Sequence, residues 1–325
     1  MTRIRPALKN YDWGDTSFIP DLLGVDAAGQ PVAEAWFGTH PSGEATLVDG
    51  RPLSSVTGPL PFMVKFIAAA KPLSLQVHPS LEQAREGFAR DNAAGLAADD
   101  PRRNYRDDSD KPELLVALTP FSALCGFHDP SATIGWFRAL GWRELAEALE
   151  RLGIEGFVRE ALAGASLSIP TNLPEWAAAL RDAHPGDPAV LVALLMHWVE
   201  LAPGECLALN AGVLHAYLSG CAVEVMNGSD NVVRAGFTTK HCDRGELLRI
   251  TSFEPSPSPV KRADNGVYPT TGSYRLVVHE AGSMINATQP TIVVTTTGQS
   301  HVLMAGESLR VETGTAFAAT AGTPR

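Results

Sequence analysis

The 325-residue chain has room for about two domains of the usual size, and its 45% hydrophobic content suits a globular protein with a sizeable core. Its 26 basic and 36 acidic residues leave a formal charge of −10. That argues against nucleic acid as a partner, but it allows a small phosphorylated ligand held by a few focused cations. The opening MTRIRPALKNYDWG lacks an apolar signal core, and no run approaches the roughly 20 apolar residues of a membrane span, so a cytoplasmic protein is expected.

The first hundred or so residues read as short strands punctuated by Gly and Pro, as in EAWFGTHPSGEATLV, PFMVKFIAAA and PLSLQVHP. Such a run favours a sandwich or barrel over a doubly wound sheet. After about residue 130 the apolar spacing changes to three and four. SATIGWFRALGWRELAEALERLG, WAAALRDA and PAVLVALLMHWVEL predict a helical insertion over 130–200, with Ser131 and Pro188 as start signals. Leu191, Leu194, Leu195 and Trp198 form a stripe expected to pack in its core. Strands return from 201 with ECLALNAGVLHAYLSGCAVEVMN, then SYRLVVHE, TIVVTTT and SLRVETG. The prolines of FEPSPSPVKRADNG exclude a central strand and mark a linker.

Residues 201–220 align without gaps against 303–322, placing Gly204, Glu205, Leu207, Gly212 and Ala216 on Gly306, Glu307, Leu309, Gly314 and Ala318. The repeat points to two related barrels. His215 falls on Phe317, so chemistry is expected in the first barrel and structure in the second.

Cys125, Cys206, Cys221 and Cys242 form no CxxC pair and read as reduced thiols; any metal here is held by nitrogen and oxygen. In LSLQVHPS a strand places Ser74, Gln76 and His78 on one face, and Lys111 and Glu113 share a face in DKPELLVAL. His215 follows the turn Asn210-Ala211-Gly212. Gln76, His78, Glu113 and His215 together offer two nitrogens and two oxygens, a set fitting zinc and compatible with manganese, cobalt or iron. Spacing alone does not single them out among nine histidines. Glu224, in the apolar run CAVEVM, is either a carboxylate with a raised pKa or one held in an ion pair. Arg234, from the residues alone, reads first as a structural ion-pair partner, with Asp230 the nearby carboxylate.

AWFGTHPSG, PLSLQVHP, NYRDD with KPELLVAL, GVLHAYLSG and MNGSDNVVRAGFTTK occur in order over residues 11–245, with a late GTAF. In these segments the sequence resembles the type I phosphomannose isomerases, zinc-dependent members of the cupin superfamily. Gly204 to His215 also resembles the second cupin motif, with Asn210 at its usual proline. The resemblance implies a mainly β protein of two cupin-type barrels with a helical insertion: a catalytic barrel over 1–129 and 201–254, the insertion over 130–200, and a smaller barrel over 255–325.

It further implies one zinc ion on Gln76, His78, Glu113 and His215, and a catalytic Arg234. Glu224, Lys111 and Asp230 become candidates for proton transfer and ring opening, and Ser74 and Lys240 for the substrate and its phosphate. The expected reaction interconverts mannose 6-phosphate and fructose 6-phosphate through a cis-enediolate, in a monomer or weak oligomer serving carbohydrate metabolism or GDP-mannose supply. Two positions depart from the family pattern, Asp110 where a histidine is usual and Thr239 where a proline is usual. Alternatives are an iron dioxygenase using His78, Glu113 and His215, or a non-catalytic sugar-phosphate-binding cupin.

Overall fold

Strand alternation divides the molecule into layers. In Phe62–Ala69, Phe62, Val64, Phe66 and Ala68 turn to one apolar layer while Lys65 and Ile67 turn to the other side. Leu114 and Val116 of Glu113–Ala117 join the first layer, as do Val223 and Val225 of His215–Asn227. Glu113 and Glu224 therefore project, with Lys65, into the opposite space. The computed structural model describes residues 1–164, 166–269 and 271–322.

These strands belong to a sheet whose antiparallel path runs Val260–Arg262, Glu205–Leu209, Glu113–Ala117, His215–Asn227, Phe62–Ala69, Glu34–Phe37 and Ala7–Lys9. The long strand His215–Asn227 serves two layers. Its residues from Gly220 onward pair with Phe62–Ala69 and Glu113–Ala117, while its first residues pair with Leu75–Val77 and Phe121–Phe127. The corner falls at Gly220 (φ 111°), beside a register shift between Tyr217 and Ser219. A Cβ there would lie 2.5 Å from the Pro120 carbonyl oxygen, so only glycine fits the bend. Leu75–Val77 pairs in turn with Val233–Gly236, extending the curved sheet around the interior without closing it.

The second β unit orders Tyr274–Glu280, Thr315–Ala321, Thr291–Thr295, Ser300–Leu303, Thr2–Arg5 and Thr46–Leu47. The repeat seen in the sequence is repeated in geometry. Gly204 and Gly306 both have φ 85°, and Glu205 and Glu307 each accept the amide of the residue three before at 2.8 Å. Thr2–Arg5 pairs with Ser300–Leu303, so the chain's first strand lies in the C-terminal unit although the sequence places residues 1–129 in the other barrel. Val260–Arg262, within the proline-rich linker, is an edge strand, where missing amide donors are tolerated.

Helices fill much of the insertion over Pro130–Ala139, Arg143–Ala163, Glu175–Ala183 and Ala189–Ala193, the second span kinked at Gly153 (φ 65°). Their apolar faces cover Leu75, Val77, Leu214, Ala216 and Val233, the outward faces of the site strands. Three local expectations are corrected. The first helix is capped by Asp129 with Pro130 at its first position, so Ser131 lies inside it. Pro188 does precede a helix, but that helix stops at Ala193 and Met196–Leu201 pairs with Phe121–Phe127 as a strand. Trp198 consequently leaves the core stripe; it is 37% exposed and stacks on Trp176. The helix Leu81–Ala93 lies where strands were expected, although Ser80 and Gln83 spell a capping box that is formed.

Candidate active site

Residue Gln76 sits between His215 and Arg234 as a cross-strand neighbour of both. The period of two that turns Leu75 and Val77 to the helices turns Ser74, Gln76 and His78 inward. His78, Glu113 and His215 offer ligand atoms all within 4.8 Å of one another, and each is 1–2% exposed. Nε2 of His78 is 3.3 Å and Nε2 of His215 3.7 Å from the Glu113 carboxylate. The other ring nitrogens are committed, His78 Nδ1 to the Asn231 carbonyl at 2.8 Å and His215 Nδ1 to the Val213 carbonyl at 2.9 Å. Those bonds fix the tautomer with the lone pair on Nε2, as metal-binding histidines require. Nε2 of His78 is buried with no hydrogen-bond partner, a donor set that fits a cation. Gln76 Nε2 donates to His215 Nε2 at 3.4 Å, and Ser74 Oγ donates to Gln76 Oε1 at 3.0 Å.

Charge around the cluster is paired and buried. Lys111 Nζ lies 2.9 Å from Glu113. Burial raises the Glu113 carboxyl, but the adjacent Lys111 ammonium outweighs it and holds Glu113 well below the usual carboxylate range. Tyr217 donates to Glu224 at 2.9 Å, and its hydroxyl lies 3.5 Å from Glu113. Lys65, the cross-strand partner of Glu224, lies 3.3 Å from it and 3.6 Å from Glu34. Burial first, then the neighbouring Glu113, pushes Glu224 up to about 7. Burial drives His215 down to about 4, keeping it neutral.

Above this floor opens a cavity of about 580 Å³ lined by Ser74, Gln76, Lys65, Lys111, Asp230, Arg234 and Lys240, with Tyr11, Trp13 and Trp36 on its walls. Its cations outnumber its acids, within a molecule of opposite net charge. Arg234 has no ion-pair partner among the described residues; Asp230 instead approaches Ser42 at 3.2 Å and His40 at 3.7 Å. Lys240 is exposed at the rim, over the Tyr11 ring. All ten residues singled out in the sequence therefore fall in or beside one site. Asp110 does not line the cavity; it accepts a bond from Asn227. A larger concavity, about 810 Å³, lies on the C-terminal unit beside Arg275 and His279, and none of His78, Glu113 and His215 lines it. Sequence reasoning missed Lys65, Tyr217, Glu34 and Asn231. A lone lysine inside PFMVKFIAAA was the available signal, since buried lysines are rare unless paired.

Residues 1–58 and 51–130 match the model of the phosphomannose isomerase type I catalytic domain. The chain is 35% identical to the mannose-6-phosphate isomerase of Salmonella typhimurium over 79% of its own length and 76% of the relative's. It is 30% identical to the Homo sapiens mannose-6-phosphate isomerase, over 78% and 73%. A crystal structure of mannose 6-phosphate isomerase bound with zinc and yttrium superposes with TM-score 0.83 at 27% identity, covering 99% of both chains. A zinc-bound holo form superposes with TM-score 0.79 at 26% identity, also over 99% of both.

Proposed function

We propose that this chain, which belongs to the type I phosphomannose isomerase family, interconverts mannose 6-phosphate and fructose 6-phosphate with one zinc ion per chain. The observation that carries the reading is the buried His78–Glu113–His215 cluster beneath a cation-rich cavity. Gln76 is the fourth ligand. Turning its amide over presents the oxygen beside the His215 Nε2 lone pair, two acceptors that a cation would hold together, and turns the NH2 group to donate to Ser74 Oγ. When bound, the zinc acts as a Lewis acid that polarises the sugar oxygens.

The remaining chemistry falls to the chain's own side chains. An aldose–ketose isomerase opens the ring, takes a proton from C2 and returns it to C1 through a cis-enediolate, while the hydroxyl proton passes from O2 to O1. Glu224, poised at about 7, matches the pKa a proton carrier needs near neutrality. Arg234, which lines the cavity and has no ion-pair partner among the described residues, stabilises the negative charge on the enediolate oxygens. Lys111 and Asp230 are placed to move a proton to and from the ring oxygen. Ser74 and Lys240 serve the phosphate, Lys240 as a point charge. The three-residue cluster alone would also suit an iron oxygenase; the Gln76 position and the cation-rich walls favour the isomerase.

The test is a coupled assay of mannose 6-phosphate conversion before and after chelation, with zinc re-added. Activity that disappears with the chelator and returns with zinc is the expected result. Folded, zinc-loaded protein without turnover would refute the proposal.

A further inference from the structure

We propose that Asn231 is a positioning residue that sets the metal-binding residues in register, an inference resting on the metal reading above. Asn231 is fully buried, and both ends of its side chain are saturated. Its Oδ1 accepts the backbone amides of Arg106 at 2.7 Å and Asp107 at 3.2 Å. Its Nδ2 donates to the carbonyls of Asp107 and Ser109, each at 2.8 Å, and to Asp107 Oδ1 at 3.1 Å. Asp107 returns the grip, accepting from Ser229 Oγ at 2.8 Å and from the Asp230 amide at 2.9 Å. Segment 229–231 is thereby zipped to segment 106–109.

The consequence lies at the two ends of the zipper. Residues 106–109 lead within four positions to Lys111 and Glu113, and 229–231 lead within three to Arg234. The Asn231 carbonyl itself accepts the Nδ1–H of His78. One buried amide thus ties together the segment carrying Glu113 and the carbonyl that orients His78. These two ligands have no direct backbone pairing: Leu75–Val77 pairs with Val233–Gly236 and His215, while Glu113–Ala117 pairs elsewhere in the wider sheet. Partners that orient a metal ligand typically contribute about 10- to 100-fold in metal affinity.

The experiment measures zinc affinity by competition with a chromophoric chelator for wild type, Asn231→Ala and Ser229→Ala, alongside urea unfolding of the metal-free proteins. Asn231→Ala should bind zinc at least about tenfold more weakly. Ser229→Ala, which removes one strut and leaves the Asn231 side chain in place, should lose a smaller factor while remaining folded. Two folded variants with wild-type affinity would overturn the inference and leave the metal reading standing. If Asn231→Ala does not fold, unchanged affinity in Ser229→Ala overturns it and a several-fold loss supports it. Wild type without measurable zinc affinity would overturn the metal reading and this inference together.

Discussion

Replacing Lys65 with Met probes the buried charge network beneath the cavity. Lys65 is 5% exposed, with its ammonium 3.3 Å from Glu224 and 3.6 Å from Glu34. Met fills a similar volume without the charge, leaving two buried carboxylates uncompensated, a loss that typically costs about 3–5 kcal/mol. The pH dependence separates this from a packing defect. Glu224 is already raised from 4.5 to about 7 by burial and Glu113, with Lys65 opposing. A carboxyl raised in the folded state leaves stability fully present below about pH 4.5 and erodes it as pH climbs towards 7. At 1.36 kcal/mol per pKa unit that erosion is about 3 kcal/mol in wild type.

Without Lys65 the folded value rises further, so the erosion continues above pH 7 in the variant after it has levelled off in wild type. The gap in unfolding free energy should widen above pH 7, by up to about 1.4 kcal/mol per pH unit until the variant's own folded value is reached. Urea unfolding with chelator present, at pH 5.5, 7 and 8.5, reads this directly. An equal loss at all three, or a larger one at the acid end, would refute the reasoning.

Arg234→Ala should keep normal zinc content while kcat falls by about two orders of magnitude or more; near-wild-type turnover would remove Arg234 from the mechanism. Lys240→Ala should raise KM for mannose 6-phosphate and leave binding of an unphosphorylated sugar unchanged, and an equal effect on both would end its phosphate role. Gly220→Ala should destabilise the fold by about 2 kcal/mol or more, because φ is 111° and the new Cβ meets the Pro120 carbonyl oxygen at 2.5 Å; an unchanged urea midpoint would show that the corner can relax.

The inward face of the site was legible because strand alternation is local. Ser74, Gln76 and His78 share a side whatever the strand pairs with, and the family segments reached Glu113, His215 and Arg234. The insertion was legible only in part. The apolar spacing of 188–201 suits a helix as well as a fully buried strand, and only the partner Phe121–Phe127 makes Met196–Leu201 a strand. Leu81–Ala93 was overlooked although its capping box stands in the sequence.

Sequence alone determined the shared face of Ser74, Gln76 and His78, because strand alternation needs only neighbours two positions apart; the family segments supplied the rest of the site, and self-comparison of the chain supplied the β repeat with its paired glycines. Tertiary structure decided the rest. It brought Lys65 opposite Glu224, left Arg234 without a carboxylate partner among the described residues, turned Asp110 away towards Asn227, and carried the first strand to the far sheet. These outcomes depend on the register of strands distant in the chain and on the desolvation their packing imposes, and no local pattern encodes either.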